Sequence, residues 1–175
     1  VLAAIASCDE ADVDRVVVIA RAAFEAGVWS RMAPRERKKR LKAFAELITR
    51  HTDELALLET LDMGKPIRDS LAVDLPLSAQ CIDWYAEAID KLYDEIAPTA
   101  PTALSLIRRE PLGVVAAVVP WNFPLLMAAW KLGPILAAGN SVILKPAEQS
   151  PLTALRIAEL LIEAGWVIPV EPHGV

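Results

Sequence analysis

"GVVAAVVPWNFPLLMAAWKLGPILAAGNSVILKP", Gly113 to Pro146, decides the fold. It opens with an unbroken β-branched and alanine run, the pattern of a strand buried on both faces, as in a parallel sheet. "LLMAAWKLGPILAAG" then carries helical apolar spacing, although Gly133 and Pro134 should break that helix near its middle. "SVIL" gives a second short buried strand, closed by Lys145 and Pro146. Beyond it, Ser150 and Pro151 supply a cap and a first turn for a last helix, "LTALRIAELLIEAG", ending at Gly165. Strand, helix, strand, helix at this spacing is a βαβα unit, so the expected class is α/β with an incomplete parallel sheet.

Upstream the chain reads as helical. Val13, Val16, Val17, Ala20 and Phe24 recur at helical spacing between Asp9 and a closing Gly27. Pro34 suits the first turn of a second helix, which either continues or restarts near "TDEL" and stops at Gly64. In it the basic cluster "PRERKKR" reads as a solvated face beside the apolar stripe Leu41, Phe44, Leu47 and Ile48. A third helical stretch is expected from Ile67 to Ile96, with Leu77, Cys81, Trp84, Ala88 and Leu92 on its buried side; Pro76 either kinks it or opens a new first turn. Pro98 and Pro101 end the helical pattern, and "ALSLIRRE" (Ala103–Glu110) alternates like an edge or interface strand.

Composition narrows the function classes. With 54% hydrophobic and 23% charged residues the chain has apolar material for a core and too much charge for a membrane protein. No run approaches the roughly 20 apolar residues of a membrane span. A net charge of -5 argues against nucleic acid as a partner, because phosphate binding needs a concentrated basic surface. Val1 is not an initiator methionine, so a missing N-terminal portion is expected. Cys8 and Cys81 make no disulfide framework, and His51 and His173 stand in no metal-ligand spacing, so no metal is expected and the compartment reads as reducing and cytoplasmic. Both cysteines read as small buried hydrophobes rather than nucleophiles.

In open α/β sheets ligands lie beyond the carboxyl ends of the strands, which singles out Pro120, Trp121, Asn122 and Lys145 to Gln149. Asn122 is an amide in an apolar run, with a proline two residues away on either side. It either caps the helix that starts near Pro124 or serves chemistry. Lys145 either snorkels at a strand end or, with Glu148 three residues later, grips vicinal hydroxyls such as a ribose; Glu148 otherwise reads as a solvated loop carboxylate. The glycines nowhere form G-x-G-x-x-G, so spacing alone suggests a nucleotide edge and no more.

From Glu110 to Leu155, "EPLGVVAAVVPWNFPLLMAAWKLGPILAAGNSVILKPAEQSPLTAL" resembles the core of the NAD(P)-dependent aldehyde dehydrogenase family, as does "LDMGKP" at Leu61–Pro66. The likeness extends from near Val1 to about Gly165. "WYAEAIDKLYDEIAPT" (Trp84–Thr99) further resembles the branch acting on gamma-glutamyl-aminobutyraldehyde and other aminoaldehydes. In that family a cysteine thiolate adds to the aldehyde, a side-chain amide stabilises the thiohemiacetal oxygen, hydride passes to the nicotinamide, and a glutamate-activated water releases the acid. The resemblance implies that Asn122 is the oxyanion donor. It implies that Lys145 and Glu148 hold the adenine ribose of NAD, with NADP disfavoured by the carboxylate, and that Val119, Pro120 and Trp121 line the adenosine side. Phe123, Met127 and Trp130 would line the aldehyde tunnel, plain helix packing being the alternative for all three.

The resemblance also divides the chain into a helical part of the cofactor domain (1–97), an oligomerisation strand (98–110), a partial dinucleotide-binding βαβα unit (111–165) and an atypical tail (166–175). Its nucleophile and base would lie downstream, so residues 1–175 alone are expected to be inactive. Expected partners are a small aldehyde and, for a full-length chain, further copies of itself. The competing expectation is a non-catalytic truncated product, inactive or docking on full-length subunits through "ALSLIRRE".

Overall fold

A computed structural model of the chain describes residues 3–166. Helix α1 (Glu10–Ala26) begins with a reciprocal cap between Asp9 and Asp12 and ends at Gly27, whose φ of 78° is left-handed and costs glycine nothing. Helices α2 (Pro34–Arg50) and α3 (Thr52–Met63) are separate and meet at His51, which resolves the open reading at "TDEL". Gly64, with φ 82°, ends α3 as expected. A short α4 (Ile67–Asp69) passes through a π-helical turn, Ser70–Asp74, into α5 (Leu75–Ala88). Pro76 falls in the first turn of α5, where a missing N–H costs little.

Several elements differ from the sequence expectation. The third helix stops at Ala88, and Glu95–Ala97 form strand β1, antiparallel to β2 (Ser105–Ile107), with Ile96 opposite Leu106. "ALSLIRRE" therefore supplies one arm of a hairpin. The buried face of α5 is Leu75, Ser78, Ala79, Ile82 and Ala86, whereas Leu77, Trp84 and Leu92 are exposed and Cys81 and Ala88 half-buried. Small side chains win that face because helix α6 packs against it closely. Helix α6 (Pro124–Ala137) runs unbroken through Gly133 and Pro134. A Cβ on Gly133 would stand 2.6 Å from Tyr85 Cδ2, so glycine permits the α5–α6 approach, and Pro134 is accommodated within a continuous helix.

Strands β3 (Val114–Val118) and β4 (Ser141–Lys145) pair in parallel, in register from Val114 with Ser141 to Val118 with Lys145. The βαβα unit is completed by α7 (Leu152–Glu163). Burial on both faces of β3 is not observed: Ala117 is buried while Ala116 and Val118 are exposed, since two strands with α1 and α6 against them cannot enclose both faces. The core lies between α2, α3, α5, α6 and α7, and Phe44, Leu41, Ile82, Leu125 and Leu132 are fully buried in it. Helix α1 buries no residue; its Val16, Ile19, Ala20 and Ala23 line a groove of about 690 Å³ with Val142 and Leu144 of β4 and Leu155 and Ala158 of α7, while Val13 and Val17 are exposed. The basic face of α2 is more than solvated, because Lys38 and Lys42 reach Glu87, Asp83 and Asp90 beside α5 at 2.7–3.0 Å.

Two further corrections concern caps and cysteines. The Ser150 hydroxyl does not cap α7 but donates to the Trp121 carbonyl at 3.2 Å, and the Leu152 N–H is met by Asp62 Oδ2 at 2.8 Å. Cys8 is exposed rather than buried, as are residues 3–9 that precede α1. The Trp166 ring, at the start of the expected atypical tail, lies 4.5 Å from that of Trp29, tilted by 41°; Pro169, Pro172 and His173 lie outside the described residues.

Candidate functional site

The parallel register brings the sequence candidates to one end of the sheet. Val118 pairs with Lys145, and the next amide, Val119 N–H, donates to the Lys145 carbonyl at 3.1 Å. Pro120, Trp121 and Asn122 therefore leave the carboxyl end of β3 beside the carboxyl end of β4, where Lys145 is exposed and the turn carries Glu148. The Ser150–Trp121 hydrogen bond ties the two loops together. Val119 is buried beneath them, and Pro120 and Trp121 are exposed.

Asn122 is exposed and is not the cap of α6. The N-cap position is Phe123, and no side chain caps that helix. Among the described residues the Asn122, Lys145 and Glu148 side chains form no hydrogen bond with protein. Phe123, Met127 and Trp130 fall at i, i+4 and i+7 on one open face of α6: Phe123 is 38% and Trp130 54% exposed. The opposite face, Leu125, Ala128, Leu132 and Leu136, enters the core.

Behind the start of α6 lies a buried charged cluster that sequence reasoning missed. Glu59 on α3 is fully buried, and neither carboxylate oxygen meets full hydrogen-bond geometry. Burial and then the Asp74 carboxylate push it up to about 7, opposed by Lys65 and the Leu125 amide in the first turn of α6. Lys65 pairs with Asp74, the last residue of the π turn, and its Nζ lies 3.9 Å from the Phe123 ring centroid. A signal was available: Glu59 follows Leu55 and Ala56 at the spacing of α3's buried face.

Cys81 does not fit a nucleophile. It is half-buried, burial raises its thiol, and its Sγ–H donates to the Ala129 carbonyl at 3.7 Å. Among the described residues no group of three or more His, Cys, Asp and Glu could hold a metal ion, and no helix is long and apolar enough to cross a membrane. The 690 Å³ groove is mostly apolar and is not lined by Asn122, Lys145 or Glu148, so the candidate site is the sheet end and not that groove.

This arrangement, an amide and a cation beyond the carboxyl ends of parallel strands, belongs to the α/β proteins that bind ligands at that edge. The chain belongs to the aldehyde dehydrogenase family, whose model matches residues 1–171. It is 59% identical over 164 residues, 94% of the chain, to the NADP/NAD-dependent aldehyde dehydrogenase PuuC of Escherichia coli (strain K12), covering 33% of that protein. Among solved structures it is similar to indole-3-acetaldehyde dehydrogenase complexed with NAD+, with TM-score 0.92 and 63% identity over 94% of this chain and 33% of that one. It is also similar to gamma-glutamyl-gamma-aminobutyraldehyde dehydrogenase from Burkholderia cenocepacia J2315, with TM-score 0.92 and 61% identity over 94% of this chain and 34% of that one. The chain thus spans about a third of the length of the curated relatives it matches.

Proposed function

We propose that this chain forms the first part of the cofactor domain of an NAD-dependent aldehyde dehydrogenase acting on an aminoaldehyde of the gamma-glutamyl-aminobutyraldehyde type, in the cytoplasm. The observation that carries the reading is Asn122 itself, exposed at the carboxyl end of β3 and released from any capping duty. A cysteine supplied from downstream adds to the aldehyde carbon, and the oxygen gains negative charge as that C–S bond forms. The Asn122 amide donates to this oxygen and has no hydrogen-bond partner to leave among the described residues. Bound NAD would supply the hydride acceptor for the same carbon.

Lys145 and Glu148 suit the adenine ribose. The ammonium donates to a hydroxyl, and the carboxylate accepts from the 2′-hydroxyl and repels a 2′-phosphate. Val119, Pro120 and Trp121 flank the adenosine, and the open face of Phe123, Met127 and Trp130 borders the aldehyde path. Residues 1–97 and 111–165 are assigned to the cofactor domain, and 98–110 to contact between copies. The hairpin supports that last assignment, since Ile96, Leu106 and Ile107 are 71, 59 and 48% exposed. The similarity to enzymes of that substrate class and to a relative complexed with NAD+ supports the substrate class and a nicotinamide cofactor.

The test uses a full-length chain in which the downstream part of a curated relative continues this sequence. It is expected to form NADH from aminoaldehydes, to prefer NAD over NADP, and to lose most of that preference in Glu148→Gln. Residues 1–175 alone are expected to form none. A preference for NAD that Glu148→Gln leaves unchanged would remove Glu148 from the ribose site, and turnover by 1–175 alone would refute the division of labour.

A further inference from the structure

We propose that Lys65, held by Asp74, is a positioning residue for Asn122, fixing the Phe123 ring at the start of α6 so that the neighbouring amide points at the reacting oxygen. The inference rests on the reading of Asn122 as oxyanion donor. Three separated segments converge to build it. Gly64, at φ 82°, turns the chain out of α3 and lays Lys65 back against the helix that follows. The π turn Ser70–Asp74 widens that helix and delivers a buried Asp74 to Lys65. A π turn is uncommon and recurs at functional sites, and here the Asp74 carbonyl is further secured by the Ser78 hydroxyl at 2.6 Å.

The ammonium's other neighbour is the face of Phe123, 3.9 Å to the centroid. An aromatic face attracts a cation most where water is excluded, and the Lys65 side chain is only 12% exposed. Phe123 is both the residue after Asn122 and the N-cap of α6, where its carbonyl accepts from the Met127 N–H at 2.9 Å and no side-chain cap is present, so the Lys65 contact is the side-chain anchor of this helix start. Glu59 stands below the same turn, fully buried, next to the Leu125 amide. A plain buried ion pair linking α3 to α5 would need neither the aromatic contact nor this placement.

The test is a double-mutant cycle in the full-length chain described above. Lys65→Met with Asp74→Asn removes both charges of the pair together; Glu59 is the buried carboxylate that remains, and the melting temperature of the double variant separates unfolding from misplacement. The expected result is kcat lowered about tenfold or more, as small misplacements of a reacting group produce, with KM for NAD within about twofold. In the Asn122→Ala background the same pair should cost less than about twofold, because its effect passes through an amide no longer present. Lys65→Arg, which keeps a cation over the ring, should retain at least about half of the activity. An equal loss in both backgrounds, or no loss in either, overturns the proposal. If Asn122→Ala itself leaves kcat unchanged, the oxyanion reading fails, and the positioning role fails with it.

Discussion

Glu59 shows how one side chain couples burial to pH. Its carboxyl rises from the ordinary 4.5 to about 7 because desolvation, reinforced by Asp74, outweighs Lys65 and the Leu125 amide. Between these values the folded protein holds a proton that the unfolded chain has released, so stability falls as pH rises from about 4.5 through 7. Glu59→Gln abolishes that dependence. Melting temperatures from pH 5 to 8 should move in the variant's favour as pH rises, corresponding to at most about 3 kcal/mol. A constant difference between variant and parent would show that Glu59 stays charged. Residue-scale signals were partly legible. Asn122 stood out as a polar side chain in an apolar run, and the glycine stops at 27 and 64 followed from the left-handed φ that glycine tolerates. Glu59 was missed because a carboxylate on a buried helix face reads as an ordinary charge until its neighbours are placed.

At the scale of elements, α5 packs closely against α6, and Gly133 makes that approach possible. Gly133→Ala would gain about 1 kcal/mol of helix propensity, yet the new Cβ meets the Tyr85 ring at 2.6 Å. Overpacking of about 1–3 kcal/mol should win, lowering the melting temperature, and Tyr85→Leu should restore it. A rise in melting temperature for the single variant would show that the ring moves aside freely. The same junction explains what sequence periodicity misplaced. Bulky Leu77 and Trp84 drew the expected buried stripe, whereas close packing selected Ser78, Ala79 and Ala86. The π turn left no signature because five residues carry no period of their own. The α7 cap was illegible for another reason: Asp62 meets Leu152 across 90 residues, and only the tertiary fold brings them together.

Over the whole molecule, the βαβα unit was readable because β-branched runs, a helix-length spacer and closing prolines all agreed. Strand β1 was not, since Glu95–Ala97 has no alternation that outweighs the helix before it. The hairpin leaves Ile96 and Leu106 exposed, and apolar side chains line the groove beside β4, which suits the proposed context of a full-length, self-associating enzyme. Within that context everything turns on Asn122. If its amide stabilises charge that appears only after thiolate addition, Asn122→Ala in the full-length chain lowers kcat and kcat/KM together by roughly a hundredfold or more, with KM nearly constant. Asn122→Asp is at least as harmful, because a carboxylate repels a forming oxyanion, while both variants melt close to the parent. An Asn122→Asp enzyme with parental kcat would contradict the account.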